Sequence, residues 1–287
     1  MESEEPKVVH KGIKKGLYVI PTAFTAANIA MGFFAVLWSI RGFHLTFTDP
    51  AGAAGYFNYA AVAIGLAILF DTLDGRVARM TKTATEIGVQ FDSLADVLTF
   101  GIAPIALVYS WGIAPAFSEK SSEHGFGIFL LFMYLMCGAF RLARFNLQAT
   151  RPRVLAEGTP KVDKKNFVGL PIPPAAGLMA SIIHFTPMPL SFYGSDNARF
   201  YAILMMILLA VLGVLMVSTI KYSSFKTAGF GKRNLYLVLV IAAAGMLIWL
   251  YSNYVLLIIS LIYVSHGIIW QVLSIFSRKK KDLPAEV

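Results

Sequence analysis

Apolar runs approaching 20 residues alternate with short polar breaks along nearly the whole chain. Runs of that length suit the hydrocarbon thickness of a bilayer at the rise of an α-helix. The pattern predicts an all-α, polytopic helical bundle of eight spans, at 22–41, 55–80, 88–113, 125–148, 168–187, 197–220, 234–252 and 254–276. The last two runs are separated only by Ser252-Asn253, so a tight hairpin is expected there. Residues 6–20 mix basic and apolar positions, which predicts an amphipathic helix lying in the interface. The punctuation Gly169-Leu-Pro171-Ile-Pro173-Pro174 predicts a kink or a broken helix at the mouth of the fifth span.

Composition agrees with that reading. The chain has 287 residues, of which 57% are hydrophobic and 14% charged, far from the balance of a soluble domain. The first 15 residues lack the apolar core of a cleavable signal peptide. A lone cysteine, Cys137, excludes an intramolecular disulfide and a cysteine-based metal cluster. The net charge of +9 would suit nucleic acid, but its placement points to a membrane surface. Of the 25 Lys and Arg residues, all but Arg41, Lys120 and Arg199 fall at the termini or in the 76–82, 141–165 and 221–233 regions. The positive-inside rule then puts both termini in the cytoplasm, which an even number of spans requires. The expected organisation is an interfacial segment over 1–21, a core over 22–220, two further spans over 221–276 and a basic tail over 277–287.

Four aspartates interrupt this apolar pattern, in Asp71-Thr-Leu-Asp74-Gly75-Arg-Val-Ala78-Arg79 and Gly88-Val-Gln-Phe-Asp92-Ser-Leu-Ala-Asp96. Ionised groups at membrane depth are expensive unless paired or metal-bound. Asp71, Asp74, Gly75 and Ala78 share one face of the second span, and Gly88, Asp92 and Asp96 share one face of the third. A short connection makes the two helices antiparallel neighbours, so the acidic faces can meet. Asp71 lies nine residues from Met80, or roughly 13 Å below the cytoplasmic end. Four carboxylates in one low-dielectric site call for cations, and an all-oxygen set favours Mg2+ or Mn2+. Four ligands suit two metals, the clamp often used for phosphoryl transfer. Arg79 is placed to meet a phosphate. Gly75, Ala78 and Gly88 leave room for a ligand or for close helix packing. A structural ion pair, a proton relay or the cation site of a transporter also places acids in spans; the carboxylate count and the interfacial depth argue against these.

The spacing Asp71-x-x-Asp74-Gly75-x-x-Ala78-Arg79, eight residues, Gly88-x-x-x-Asp92-x-x-x-Asp96 resembles, position for position, the signature of the CDP-alcohol phosphotransferase family. The resemblance implies a membrane enzyme that moves a phosphatidyl group from a CDP-linked lipid to an alcohol and releases CMP. It further implies a six-span core, a homodimer and a two-metal site held by Asp71, Asp74, Asp92 and Asp96, with Asp96 as the base for the acceptor hydroxyl. Gly75, Arg79 and Thr85 match positions that contact the CDP moiety, with Ala78 and Gly88 beside them. Thr25 and Asn28, in Pro21-Thr22-Ala-Phe-Thr25-Ala-Ala-Asn28, match a stretch that contributes to the nucleotide pocket, although Thr22 stands where Asn is usual.

Phe91-Asp-Ser-Leu-Ala-Asp-Val-Leu-Thr-Phe-Gly-Ile-Ala-Pro104, Gly138-Ala-Phe-Arg141-Leu-Ala-Arg144-Phe-Asn146 and Gly169-Leu-Pro171-Ile-Pro173 resemble the membrane-type phosphatidylserine synthases within that family. This implies CDP-diacylglycerol as donor and L-serine as acceptor. Serine is a zwitterion whose carboxylate wants a cation, and Arg141, Arg144 and Asn146, with Lys164 behind them, are the candidates. Positive-inside anchoring accounts for the two arginines equally well. Glycerol phosphate or inositol phosphate as acceptor, an archaeal ether lipid as donor, and a cation-coupled transporter are the competing readings.

Overall fold

The computed structural model describes residues 11–81, 86–150, 166–223 and 234–281. Its helices are α1 (Lys11–Leu45), α2 (Pro50–Thr81), α3 (a rod from Glu86 to Ala116), α4 (Ser122–Thr150), α5 (Ile172–Phe185), α6 (Ser195–Val217) and α7 (Asn234–Lys281). Two short strands, β1 (Asn166–Val168) and β2 (Lys221–Ser223), pair antiparallel with Phe167 opposite Tyr222. Among the described residues, six helices are long and apolar enough to cross a membrane, and α5 is a shorter apolar helix of 14 residues. The chain is thus an integral membrane protein built as a helical bundle.

Each helix buries a stripe and leaves its other face to lipid. On α2 the buried stripe is Ala53, Phe57, Ala60, Ile64 and Ala67, while Tyr59, Leu66 and Leu69 are exposed. Association in lipid depends on close packing rather than on a hydrophobic drive, and alanine every seventh residue allows it. Continued by one more turn, that stripe arrives at Asp71 and Asp74, so core packing delivers the acids to the interior. The α1–α2 turn is fixed by Asp49, whose Oδ1 accepts the backbone N–H of Gly52 at 3.0 Å, with Pro50 at the first helical position.

The rod α3 is not uniformly α-helical. Its α-helical stretch Glu86–Asp96 passes directly into a π-helical stretch, Val97–Ile102, and a second π stretch spans Tyr109–Ile113. Wide turns of this kind need outside partners for their backbone. The first has them: Tyr134 donates its hydroxyl to the Phe100 carbonyl at 3.1 Å. Gly32 lets α1 approach so closely that a Cβ there would lie 2.7 Å from Thr99 Oγ1.

Three expectations are corrected. The interfacial helix over 6–20 is not separate: from Lys11 onward it is the start of α1, continuous with the first span, and residues before Lys11 lie outside the described set. The prolines do not kink the fifth span. Pro171 precedes α5 with extended backbone, and Pro173 and Pro174 sit in its first turn, where backbone N–H groups have no helical partner to lose. The turn before them is made by Gly169 at φ 82°, whose N–H donates to the Ile220 carbonyl at 2.8 Å.

In place of the hairpin expected at Ser252-Asn253, α7 has a kink at one non-helical residue, Tyr251 (φ −135°, ψ 41°), and Gly245–Gln271 runs across it as one apolar span. Ser252 is held to the core by His184, whose Nε2 lies 2.9 Å from Ser252 Oγ and whose Nδ1 lies 2.6 Å from Asn58 Oδ1. His184 therefore joins α2, α5 and α7 through side chains. Farther along α7, Val264 accepts a hydrogen bond from the Tyr222 hydroxyl at 3.4 Å. Ser252 lies near the C-terminal end of α5 and Val264 near the β ribbon, so this half of α7 runs antiparallel to α5.

Candidate active site

Four helices meet at one end of the bundle and supply the site. One long-range link joins Thr25 of α1 to Asp74 of α2, where the threonine hydroxyl donates to Asp74 Oδ2. Asp74 is buried. One turn along α1, Asn28 is fully buried, and neither its Oδ1 nor its Nδ2 has a partner among the described residues. Its backbone carbonyl accepts the Thr99 hydroxyl at 3.3 Å, which fixes α1 to the first π stretch of α3. A buried amide that bonds nothing in the protein costs free energy, so Asn28 is poised for a ligand.

The acidic faces of α2 and α3 do meet. Carboxylate oxygens of Asp71, Asp92 and Asp96 all lie within 4.8 Å of one another. Asp96 Oδ1 is buried without a partner among the described residues. Like charges this close are tolerable only when neutralised, and three hard oxygen donors converging on one point form a set that a divalent cation fits. Asp74 stands beside this group rather than within it, one of its oxygens being taken by Thr25. Its charge still acts on both Asp92 and Asp96.

A cation faces the carboxylates from α4. Arg141 is buried, its Nε lacks a partner, and its charge acts on Asp96. No ion pair joins the two, and each carries a buried polar atom without a partner among the described residues, Arg141 Nε and Asp96 Oδ1. Among the described residues Arg141 is the buried Lys or Arg of the chain.

The other two serine-pocket candidates hold neighbouring helices. Arg144 Nη1 donates to the Val217 carbonyl at 3.2 Å, at the C-terminus of α6, the helix end that favours a cation. Asn146 Nδ2 donates to Ser93 Oγ at 2.8 Å, tying α4 to α3 beside Asp92. Gly75 is half-buried on α2 and Gly88 is exposed on α3. Ala78 and Arg79 lie on the last turns of α2, with their side chains outside the described set, as are Thr85 and Lys164 altogether.

Some contributors were not singled out by the sequence. Ser93 shows only as the partner of Asn146. Thr99 and Gly32 show only as the pair that seats α1 on the π stretch.

Known proteins share this arrangement of sequence. Residues 18–214 match the family model of CDP-alcohol phosphatidyltransferase. The chain is 32% identical over 225 residues to a Helicobacter pylori protein named CDP-diacylglycerol--serine O-phosphatidyltransferase, covering 78% of this chain and 80% of that one. A Methanocaldococcus jannaschii protein of the same name is 31% identical over 206 residues, 72% of this chain and 81% of the other. A Methanothermobacter thermautotrophicus protein named archaetidylserine synthase is 34% identical over 205 residues, 71% of this chain and 69% of the other.

Proposed function

The chain belongs to the CDP-alcohol phosphatidyltransferase family, and from that premise we propose that it transfers the phosphatidyl group of CDP-diacylglycerol to L-serine, forming phosphatidylserine and CMP. The observation that carries serine as acceptor is that Arg141 and Asp96 each bring to the site a buried polar atom that has no partner among the described residues. A zwitterionic acceptor needs one cation for its carboxylate and one base for its hydroxyl, and these two residues offer one of each. A phosphorylated acceptor carries more negative charge at its head and would call for a denser set of cations than Arg141 alone. The relatives differ in the lipid that their names imply and agree on serine. An ether-lipid donor is the second reading, favoured by the archaetidylserine synthase.

Asp71, Asp92 and Asp96, with Asp74 alongside, would hold two divalent cations, Mg2+ or Mn2+. Bound there, such ions neutralise the pyrophosphate and polarise the attacked phosphorus. Asn28 offers its buried amide to the cytidine end of the donor, and Gly75, Ala78, Arg79, Thr85 and Gly88 line the approach. Thr25 holds Asp74 in place. Arg141 takes the serine carboxylate and so aims the hydroxyl at Asp96. Asp96 accepts the hydroxyl proton as the serine oxygen bonds to the lipid-bearing phosphorus and the bond to CMP breaks. The acyl chains stay in the bilayer throughout, which accounts for a site inside the membrane yet close to its surface. The distribution of Lys and Arg supports placing that surface, and both termini, in the cytoplasm.

The test is serine kinetics. Arg141→Ala raises the KM for serine by about 10-fold or more, the loss expected for a charge-assisted hydrogen bond, while the KM for CDP-diacylglycerol is little changed. An anchoring arginine would leave the serine KM where it was.

A further inference from the structure

Side-chain hydrogen bonds join α3 to α4 on both sides of the level of Asp96. Toward the start of α3, Asn146 Nδ2 donates to Ser93 Oγ at 2.8 Å. Farther along, the Tyr134 hydroxyl donates to the Phe100 carbonyl at 3.1 Å. The later residue of α3 pairs with the earlier residue of α4, so the two helices run antiparallel. Beside the second bond they touch, since a Cβ on Gly101 would lie 2.7 Å from Leu135 Cδ1. Asp96 is three residues past Ser93 and four short of Phe100, while Arg141 is five before Asn146 and seven past Tyr134. Between the same fastenings, Asp96 and Arg141 therefore fall at one level of the helix pair.

The Ser93 hydroxyl is used in both directions. It donates to the Val89 carbonyl of its own helix at 3.0 Å, which leaves its oxygen to accept from Asn146. Ser93 directly follows Asp92, and both Ser93 and Asn146 are half-buried. The converging carboxylates come from α2 and α3, whereas Arg141 comes from α4. The register of α4 against α3 thus leaves the carboxylate trio alone and governs the span between Arg141 and Asp96. Arg144 fastens the same end of α4 to α6, and Asn146 refers it to the helix of the carboxylates.

The geometry points to Asn146 as a positioning residue, whose hydrogen bond to Ser93 holds α4 in the register that brings Arg141 level with Asp96 and so sets the fit of the acceptor between cation and base. This rests on the reading of Arg141 as the carboxylate-binding group. A displacement on the order of 1 Å between groups that orient a reactant is enough to weaken its productive binding.

Serine kinetics of Ser93→Ala, Asn146→Ala, the double variant and Arg141→Ala test this. Ser93→Ala removes the acceptor of the bond and leaves Asn146 in place, so it separates positioning from direct contact with serine. Ser93→Ala and Asn146→Ala are each expected to raise the serine KM about 3- to 10-fold, the scale of one hydrogen bond. The KM for CDP-diacylglycerol and the metal concentration for half-maximal activity stay within about twofold. The double variant is no worse than Asn146→Ala, because both changes remove the same bond. A serine KM raised in Asn146→Ala and normal in Ser93→Ala overturns the inference and makes Asn146 a direct contact of the acceptor. A fall in kcat with the serine KM unchanged overturns it and leaves the bond a fastening of the bundle. Normal kinetics in both variants beside a raised serine KM in Arg141→Ala overturn the inference alone. A normal serine KM in Arg141→Ala removes the reading of Arg141, and this inference with it.

Discussion

Asp96→Asn retains CDP-diacylglycerol binding and slows CMP release by about 100-fold or more, the contribution usual for a positioned base. Asparagine matches aspartate in shape, so the π stretch that follows, held by Tyr134 and by Thr99, has no reason to move. What is lost is an oxygen able to take a proton, at the buried position where Asp96 Oδ1 has no protein partner. Single-turnover CMP release, set beside equilibrium binding of the CDP-lipid, separates the two roles of this residue. Turnover near that of the unaltered enzyme contradicts the assignment of the base. Loss of lipid binding together with turnover makes Asp96 a cation ligand first.

Asp71→Asn acts differently. It takes a ligand from the trio of Asp71, Asp92 and Asp96, whose oxygens converge within 4.8 Å. The expected outcome is a rise of about 10-fold or more in the Mg2+ or Mn2+ concentration for half-maximal activity, with part of the activity recovered at high metal. Chelation of divalent cations abolishes transfer in both enzymes. An Asp71→Asn enzyme with unchanged metal dependence removes Asp71 from the ligand set and leaves the trio without its α2 member.

Much of this site is legible in the chain because helical periodicity alone builds it. Asp71 and Asp74 extend the seven-residue stripe of Ala53, Ala60 and Ala67, so a reader of the pattern can place them inside the bundle. Asp92 and Asp96 follow at i and i+4. The differences among the acids are not legible: Asp74 leaves the trio because Thr25, 49 residues away, claims one of its oxygens. Arg141 and Arg144 share a side by spacing, but Arg144 lies one turn nearer the helix end and reaches the Val217 carbonyl of α6. The π stretch after Asp96 depends on Tyr134 and Gly32, neither near it in sequence. Local periodicity records which face is buried, and contacts between distant segments decide what each buried group does.

The central claim is that a lipid donor and a soluble zwitterion meet between Asp96 and Arg141. Release of labelled CMP from CDP-diacylglycerol by the purified enzyme, with serine, glycerol phosphate and inositol phosphate supplied in turn, tests it most directly. Metal-dependent release is expected with serine, and little with either phosphorylated alcohol. Release driven by a phosphorylated alcohol and not by serine, or none with any of the three, would contradict it.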